Sequence, residues 1–377
     1  MIKVLHSVSN MDRAGIETMI MNYYRNIDRE KVQFVFLCNK RKPGAYDEEI
    51  MRMGGKIYVA PGFSPLKRHK YSALITKILK ENPEIKIIHA HNGPLQYFSL
   101  KYSKKSGVKI RIAHAHSTKI PFSNRFFDIK VLYKRIIKRK IKKVSNYYWG
   151  CGTEAIKFYF GEDVINKKEY ELVRNAIDLK KYAFDQEKRK IEREKLNIDN
   201  ECFVVGHIGR FTTEKNHSFL LKVFKEIIRK NKNSKLLLIG DGYLEDKIKN
   251  EAKELEIIDD VIFTGNIQDT YNKYQAMDVF VLPSLFEGLP VVGVEAQANG
   301  LNCIFSDRVS KEVNITNNVK FIKLEDDFEK WANVILESKN RDKNVSYKLE
   351  QNGYSIITES KKLEKRYIEL ANNIDKE

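Results

Sequence analysis

Short apolar runs alternate with amphipathic stretches from the first residues onward. Ile2–Val8 predicts a strand, and Ile16–Ile27 a helix with Ile16, Ile20 and Tyr23 on one side. Val32–Cys38 (VQFVFLC) is apolar almost throughout, as expected of a strand covered on both faces. Lys56–Ala60 then predicts a strand, Leu66–Lys80 a helix, Lys86–Ala90 a strand, Pro94–Lys105 a helix and Lys109–Ala115 a strand. Tyr147–Cys151 and Tyr170–Arg174 close this series. The alternation restarts with strands at Cys202–Ile208, Lys235–Ile239, Val261–Thr264, Val279–Leu282 and Asn302–Phe305. Helical patterns lie between them at Ser218–Lys230, Leu244–Leu255, Asp269–Gln275 and Val291–Asn299. Such alternation predicts parallel sheets with helices on both faces, and two series predict two doubly wound α/β domains.

The chain has 377 residues, which suits two domains. The expected division is residues 1–178, a charged linker at 179–200, a second domain at 201–354, and an amphipathic helix within 355–377. Cys38, Cys151, Cys202 and Cys303 are far apart and form no CxxC pair. This argues against a zinc ribbon or dithiol chemistry and for reduced thiols in a cytoplasmic protein. The N-terminus lacks a long apolar stretch, and no window reads as a transmembrane helix. Net charge is +18. Residues 1–178 hold 35 Lys/Arg against 16 Asp/Glu, whereas the remainder holds 33 against 34. One domain is therefore expected to meet an anionic surface.

Four segments carry candidate chemistry. In Pro283–Glu295 (PSLFEGLPVVGVE), Glu287 is expected in a loop at a strand's carboxyl end and Glu295 one turn into the helix opened by Pro290. Between them, backbone N–H groups from Gly288 and Leu289 onward suit an anion. The plainer alternative is one solvated and one capping glutamate. In Gly206–Asn216, Arg210 and Lys215 follow Gly209 past a strand end, where two cations suit a leaving diphosphate; surface cations are the alternative. Gly15 opens the first helix and would admit a phosphate, or simply make a turn. His116, in Arg111–Ser117, is expected just past a strand and within reach of a sugar hydroxyl. His114, His89 and His91 are read as core or lining residues, and the His114–His116 pair lacks a third metal ligand.

Taken together and in this order, the motifs resemble the family 4 retaining glycosyltransferases of GT-B fold, of the exopolysaccharide and capsule type. Arg174–Asp178 (RNAID), Gly240-Asp241-Gly242 and Phe263–Ile267 (FTGNI) extend the resemblance over essentially the whole chain. It implies two Rossmann-like domains facing a cleft, with the C-terminal helix crossing back to the first. It implies that Arg210 and Lys215 bind the donor diphosphate, Glu287 the transferred sugar and Glu295 the ribose. Gly15 would lie near the β-phosphate and His116 near the sugar, with Gly209, Gly288 and Leu289 lining the donor and Asn266 and Ile267 meeting the base. The donor is expected to be a nucleotide-sugar, with UDP the leading choice, and no metal or other cofactor is expected. This sequence departs from the family at Ala14-Gly15, Ala176 and the position of Pro290.

Lys130–Lys143 (KVLYKRIIKRKIKK) interleaves apolar residues with eight cations. It predicts a basic amphipathic helix that lies on an anionic membrane through Lys130, Lys134, Arg135, Lys138, Arg139 and Lys142. With the lipid-linked saccharide acceptors common in the resembled family, this places the protein at the inner face of the cell membrane. A solvated helix face is the alternative. No nucleic-acid reader motif is present. Two rival functions remain: a nucleotide-sugar epimerase of the same fold, and a non-catalytic polyanion-binding protein.

Overall fold

The structure, a computed structural model, describes residues 1–39, 42–61, 68–118, 129–267, 269–342 and 344–374. The chain divides into two compact units, Met1–Ile177 with Gly353–Glu377, and Asp178–Asn352.

Among the described residues the first unit has a seven-stranded sheet. Its strands are β1 (Ile2–Val8), β2 (Val32–Cys38), β3 (Lys56–Val59), β4 (Ile85–Ala90), β5 (Ile110–Ala115), β6 (Tyr147–Gly150) and β7 (Glu171–Leu172). They run in the order β3-β2-β1-β4-β5-β6-β7, and every pairing is parallel. All seven residues of β2 are buried, which explains its unbroken apolar run. Helices cover both faces. The helix Gly15–Asn26 and the C-terminal helix Ile356–Ile374 share one core cluster, to which Ile20, Tyr23, Leu363, Tyr367 and Leu370 contribute. The chain leaves and rejoins this unit at one place. Ile177 N–H donates to the Tyr354 carbonyl at 2.9 Å and Ile356 N–H to the Ile177 carbonyl at 2.9 Å.

The second unit has a parallel sheet of β8 (Phe203–Ile208), β9 (Ser234–Ile239), β10 (Val261–Phe263), β11 (Val279–Leu282), β12 (Asn302–Ser306) and β13 (Val319–Ile322). The order β10-β9-β8-β11-β12-β13 reverses direction between β8 and β11. That is the switch point at which doubly wound sheets open a crevice for ligands. The helix His217–Lys230 buries His217, Leu220, Leu221, Phe224 and Ile227, a stripe of helical period laid on this sheet.

Two departures from the sequence reading stand out. Residues 179–200, read as a linker, form the helices Leu179–Tyr182 and Gln186–Lys195 and belong to the second unit. Their charge does not keep them in solvent. Arg193 is 1% exposed, donates to the Ala276, Asp199, Asn200 and Cys202 carbonyls, and pairs with Asp278 at 2.7 Å. Asp278 also accepts from Arg189 and from the Val204 N–H, so this helix is clamped to β8 and to the start of β11. Beyond Phe305, where the sequence reading names no element before Ser355, lie β13 and the helices Phe328–Leu336 and Ser346–Gln351.

Candidate functional site

In the second unit, two loops leave the carboxyl ends of β8 and β11 at the switch point. The first runs from Gly209 through a single 3-10 turn at Thr213–Lys215. It is held from below by Gly209 N–H donating to the Ile239 carbonyl at 2.9 Å and Phe211 N–H to the Asp241 carbonyl at 2.7 Å. Glycine at 240 is required by this contact. Its φ is +138°, and a Cβ there would sit 2.2 Å from the Gly209 carbonyl oxygen. The second loop, 283–290, is fastened to the first. Leu285 N–H donates to the Glu214 carbonyl at 2.8 Å, and Asn216 Nδ2 to the Pro283 carbonyl at 3.1 Å.

This fastening brings Lys215 onto Glu287, as an ion pair between Nζ and Oε1. The lysine stem passes over Gly209, where a Cβ would meet its Cδ at 3.1 Å. Both partners are about one-fifth exposed, so the pair is reachable from solvent yet less screened than a surface bridge. Arg210, on the same loop as Lys215, is exposed. Pro290 caps the helix Val291–Ala298, and no backbone acceptor is found among the described residues for the N–H groups of Gly288, Leu289 and Val292. A cation, an exposed guanidinium and free N–H groups thus share one end of one sheet, which is what a diphosphate needs.

Glu295 lies on that helix, and both its oxygens are engaged. Oε1 accepts from the Tyr182 hydroxyl at 2.9 Å and Oε2 from the Tyr274 hydroxyl at 2.7 Å. Burial raises its pKa, while the two phenols pull the other way by stabilising the carboxylate. Neither tyrosine was found from sequence, because they come from 113 and 21 residues away and no local spacing links them to Glu295. Asn266 donates to Asp241 at 3.2 Å, and Gly240 N–H to the Gly265 carbonyl at 3.0 Å, so the loop carrying Asn266 and Ile267 adjoins Gly240–Gly242.

Gly15 and His116 belong to the first unit. Gly15 is the first residue of its helix, and a Cβ there would meet nothing within 4 Å. His116 follows β5 and is one of five clustered histidines. His6 Nδ1 faces His91 Nε2 at 3.0 Å, and His91 Nδ1 faces His116 Nε2 at 2.9 Å. His89 Nε2 faces His114 Nδ1 at 2.9 Å, and His89 Nδ1 faces the Tyr367 hydroxyl at 2.6 Å. Burial depresses all five, His6 and His116 to about 3 and His89, His91 and His114 well below the usual imidazole range. His91, which the sequence reading did not group with the His114–His116 pair, brings a third ring nitrogen within 4.8 Å of theirs.

The basic segment forms the helix Ile129–Arg139 and a 3-10 turn at Ile141–Lys143. Its cations are not equivalent. Lys138 donates to the Phe158 carbonyl at 2.6 Å and sits 3.9 Å from the Phe158 ring centre, while Lys142 pairs with Asp163 at 2.5 Å. Arg135 and Arg139 are exposed, Lys134 is half-buried, and the side chain of Lys130 lies outside the described residues. Leu132 and Ile136 are exposed apolar neighbours. No helix among the described residues is long and apolar enough to cross a membrane, and the four cysteines are buried.

Residues 188–355 match the model of the family "Glycosyl transferases group 1". The chain is 34% identical over 334 residues to the putative glycosyltransferase EpsF of Bacillus subtilis, covering 88% of this chain and 86% of that protein. It is 23% identical to an Escherichia coli UDP-Gal:alpha-D-GlcNAc-diphosphoundecaprenol alpha-1,3-galactosyltransferase, over 99% of this chain and 98% of that one. Among solved structures, HepE of Anabaena in complex with UDP-glucose superimposes with a TM-score of 0.76 at 15% identity, covering 98% of this chain and 100% of that one. That likeness establishes the GT-B fold, to which the two parallel-sheet units conform. With the fold, the loops at the second switch point and a full-length relative in agreement, the chain belongs to the group 1 glycosyltransferases, of the exopolysaccharide and capsule type.

Proposed function

We propose that this glycosyltransferase takes a hexose from a UDP-sugar bound on the second unit and passes it, with retention and without a metal ion, to a lipid-linked acceptor. The observation that carries the reading is the Lys215–Glu287 pair beside the free N–H groups at the start of the helix Val291–Ala298. A cation and oriented N–H groups at the position of a leaving diphosphate can do the charge-neutralising work that a divalent ion does elsewhere. Arg210 adds a second cation, and Gly209, Gly288 and Leu289 let the phosphates approach the backbone. On donor binding the diphosphate takes Lys215, which frees Glu287 to hold the sugar hydroxyls. Glu295 receives the ribose once Tyr182 gives up its place on Oε1, and Asn266 and Ile267 meet the base. In the first unit, Gly15 offers a close approach to phosphate and His116 a hydrogen bond to the sugar. As the glycosidic bond loosens, the sugar gains oxocarbenium character, and the acceptor attacks on the face the diphosphate leaves.

The donor assignment draws support from the UDP-sugar named for the E. coli relative and from the UDP-glucose bound in HepE. The acceptor assignment draws support from the lipid diphosphate named for the same relative. Exposed Arg135 and Arg139, flanked by exposed Leu132 and Ile136, suit an anionic bilayer at the inner face of the cell membrane. Lys138 and Lys142, already engaged within the unit, contribute less. The test is calorimetric titration of metal-free protein with UDP and GDP, alongside Lys215→Ala and Glu295→Ala. Micromolar UDP binding lost in both variants supports the donor site. Absence of binding by either nucleotide in the unaltered chain would overturn it, and release of an epimerised nucleotide-sugar would replace transfer with isomerisation.

A further inference from the structure

The five clustered histidines of the first unit do more than one hydrogen bond to a sugar requires. One ring nitrogen from each of His91, His114 and His116 lies within 4.8 Å of the other two. His114 stacks on His116 with ring centres 4.0 Å apart, and its Nε2 is buried without a hydrogen-bond partner. We propose that His91, His114 and His116 form a binding site for a transition-metal ion of the zinc class, with each imidazole giving one nitrogen and a further coordination position left open.

The surrounding hydrogen bonds fit this assignment. A metal-ligating imidazole normally presents its second nitrogen to an outer partner, which fixes its tautomer. His91 has its Nδ1 turned toward His116, while its Nε2 faces His6 at 3.0 Å. His114 has its Nε2 bare, while its Nδ1 faces His89 at 2.9 Å, and His89 rests in turn on the Tyr367 hydroxyl. Two ligands therefore carry their outer partners already, and those partners are His6 and His89. An ion among His91 Nδ1, His114 Nε2 and His116 Nε2 would replace the His91–His116 hydrogen bond, with all three nitrogens unprotonated. With metal–nitrogen bonds of about 2.0–2.1 Å, nitrogens around a tetrahedral ion sit roughly 3.4 Å apart. The 2.9 Å His91–His116 separation would open by about 0.5 Å, and the stacked His114 and His116 rings, whose planes lie 17° apart, would turn so that both lone pairs meet the ion. Three nitrogens and no oxygen select zinc, copper, nickel or cobalt over magnesium or calcium. The grouping His6, His89 and His91 is the competitor, but all three of its members are buried, whereas His116 is partly exposed and gives an ion a way in.

Occupancy would use His116 Nε2. If His116 also touches the donor sugar, as proposed above, metal and donor compete, and this second consequence rests on that reading. The test uses the full chain without an affinity tag, stripped with EDTA. It is titrated with zinc chloride by calorimetry and with cobalt chloride by visible absorption, with magnesium chloride as the comparison ion. The expected result is one zinc per chain at micromolar affinity or tighter, ligand-field bands from cobalt, and no magnesium binding. His116→Ala should weaken zinc at least about tenfold, while His69→Ala, at an exposed histidine elsewhere in the unit, should not. Zinc affinity equal in His116→Ala and the unaltered chain would overturn the proposal. So would an absence of both zinc binding and cobalt bands in the unaltered chain, a result that does not depend on any variant folding. Zinc that binds at this site without slowing sugar transfer would sink the sugar contact of His116 and leave the metal site standing.

Discussion

Gly240→Ala tests how the cation loop is held. The residue has φ +138°, a conformation open to glycine and strained for alanine by about 1–3 kcal/mol. The new Cβ would sit 2.2 Å from the Gly209 carbonyl oxygen and 2.9 Å from its carbon, and both are backbone atoms that no rotamer change can move. Restoring an ordinary carbon–oxygen contact of about 3.3 Å requires the 209–211 loop to lift by roughly an ångström. That lift strains the bond from Gly209 N–H to Ile239 and the one from Phe211 N–H to Asp241, adding about 1 kcal/mol. The expected total is roughly 2–4 kcal/mol, or several degrees in the melting temperature of a unit this size. Arg210 and Lys215 ride on the displaced loop. A misplacement of this size weakens the charge-assisted contacts that both cations offer a diphosphate, each worth about 1.5–3 kcal/mol, so UDP affinity should fall roughly tenfold or more. Calorimetry with UDP and a thermal melt should show both losses together. Gly107→Ala is the control, since its φ is +87° but a Cβ there meets nothing within 4 Å. It should show a small stability loss in the other unit and no change in UDP affinity. Gly240→Ala behaving like Gly107→Ala in both assays would refute the packing argument.

Three further outcomes follow from the same geometry. Lys215→Ala removes one charge-assisted contact to a diphosphate, worth about 1.5–3 kcal/mol, so UDP affinity should fall roughly 10–150-fold; a smaller change by calorimetry would mean that Lys215 does not touch the phosphates. Arg193→Met leaves four carbonyls without their donor and half of Asp278 uncompensated, and the second unit should lose about 3–5 kcal/mol in denaturant unfolding, with an unchanged midpoint counting against the clamp. Acid should weaken the first unit. His6 and His116 take up protons at about 3 when folded but near 6.5 when unfolded, so below about pH 6.5 the unfolded chain binds more protons. The stability present above that pH should then drain away as pH falls, by up to about 1.4 kcal/mol per pH unit for each such histidine. Melts of metal-free protein at pH 7 and pH 5 check this, and an unshifted first-unit transition would refute it.

What the chain discloses about itself depends on how far apart the interacting residues lie. The strands were legible because burial on both faces leaves unbroken apolar runs, as in Val32–Cys38. Lys215 and Glu287 could be named because the loops that carry them follow β8 and β11, whose ends periodicity marks, and because the motifs around them resemble a known family. The helix Gln186–Lys195 was misread because composition counts charges without knowing what they face. Arg189 and Arg193 are paired with an aspartate more than 80 residues on, and a buried, fully partnered arginine looks in sequence like a solvated one.

The histidine array makes the same point more sharply. In sequence, His6, His89–His91 and His114–His116 are separate short motifs, each too poor in ligands to argue for a site. The parallel register joins them. β1 pairs with β4 so that His6 lies opposite His89, and β4 pairs with β5 so that His89 lies opposite Ile112. This offset sets His89 against His114 and His91 against His116. A strand's side chains alternate faces, so His89 and His91 share one, as do His114 and His116. Two His-x-His pairs on neighbouring strands therefore stack into one block, and the switch point between β1 and β4 adds His6 to it. Neither His-x-His pair alone predicts this assembly; it follows from the pairing order and the register together.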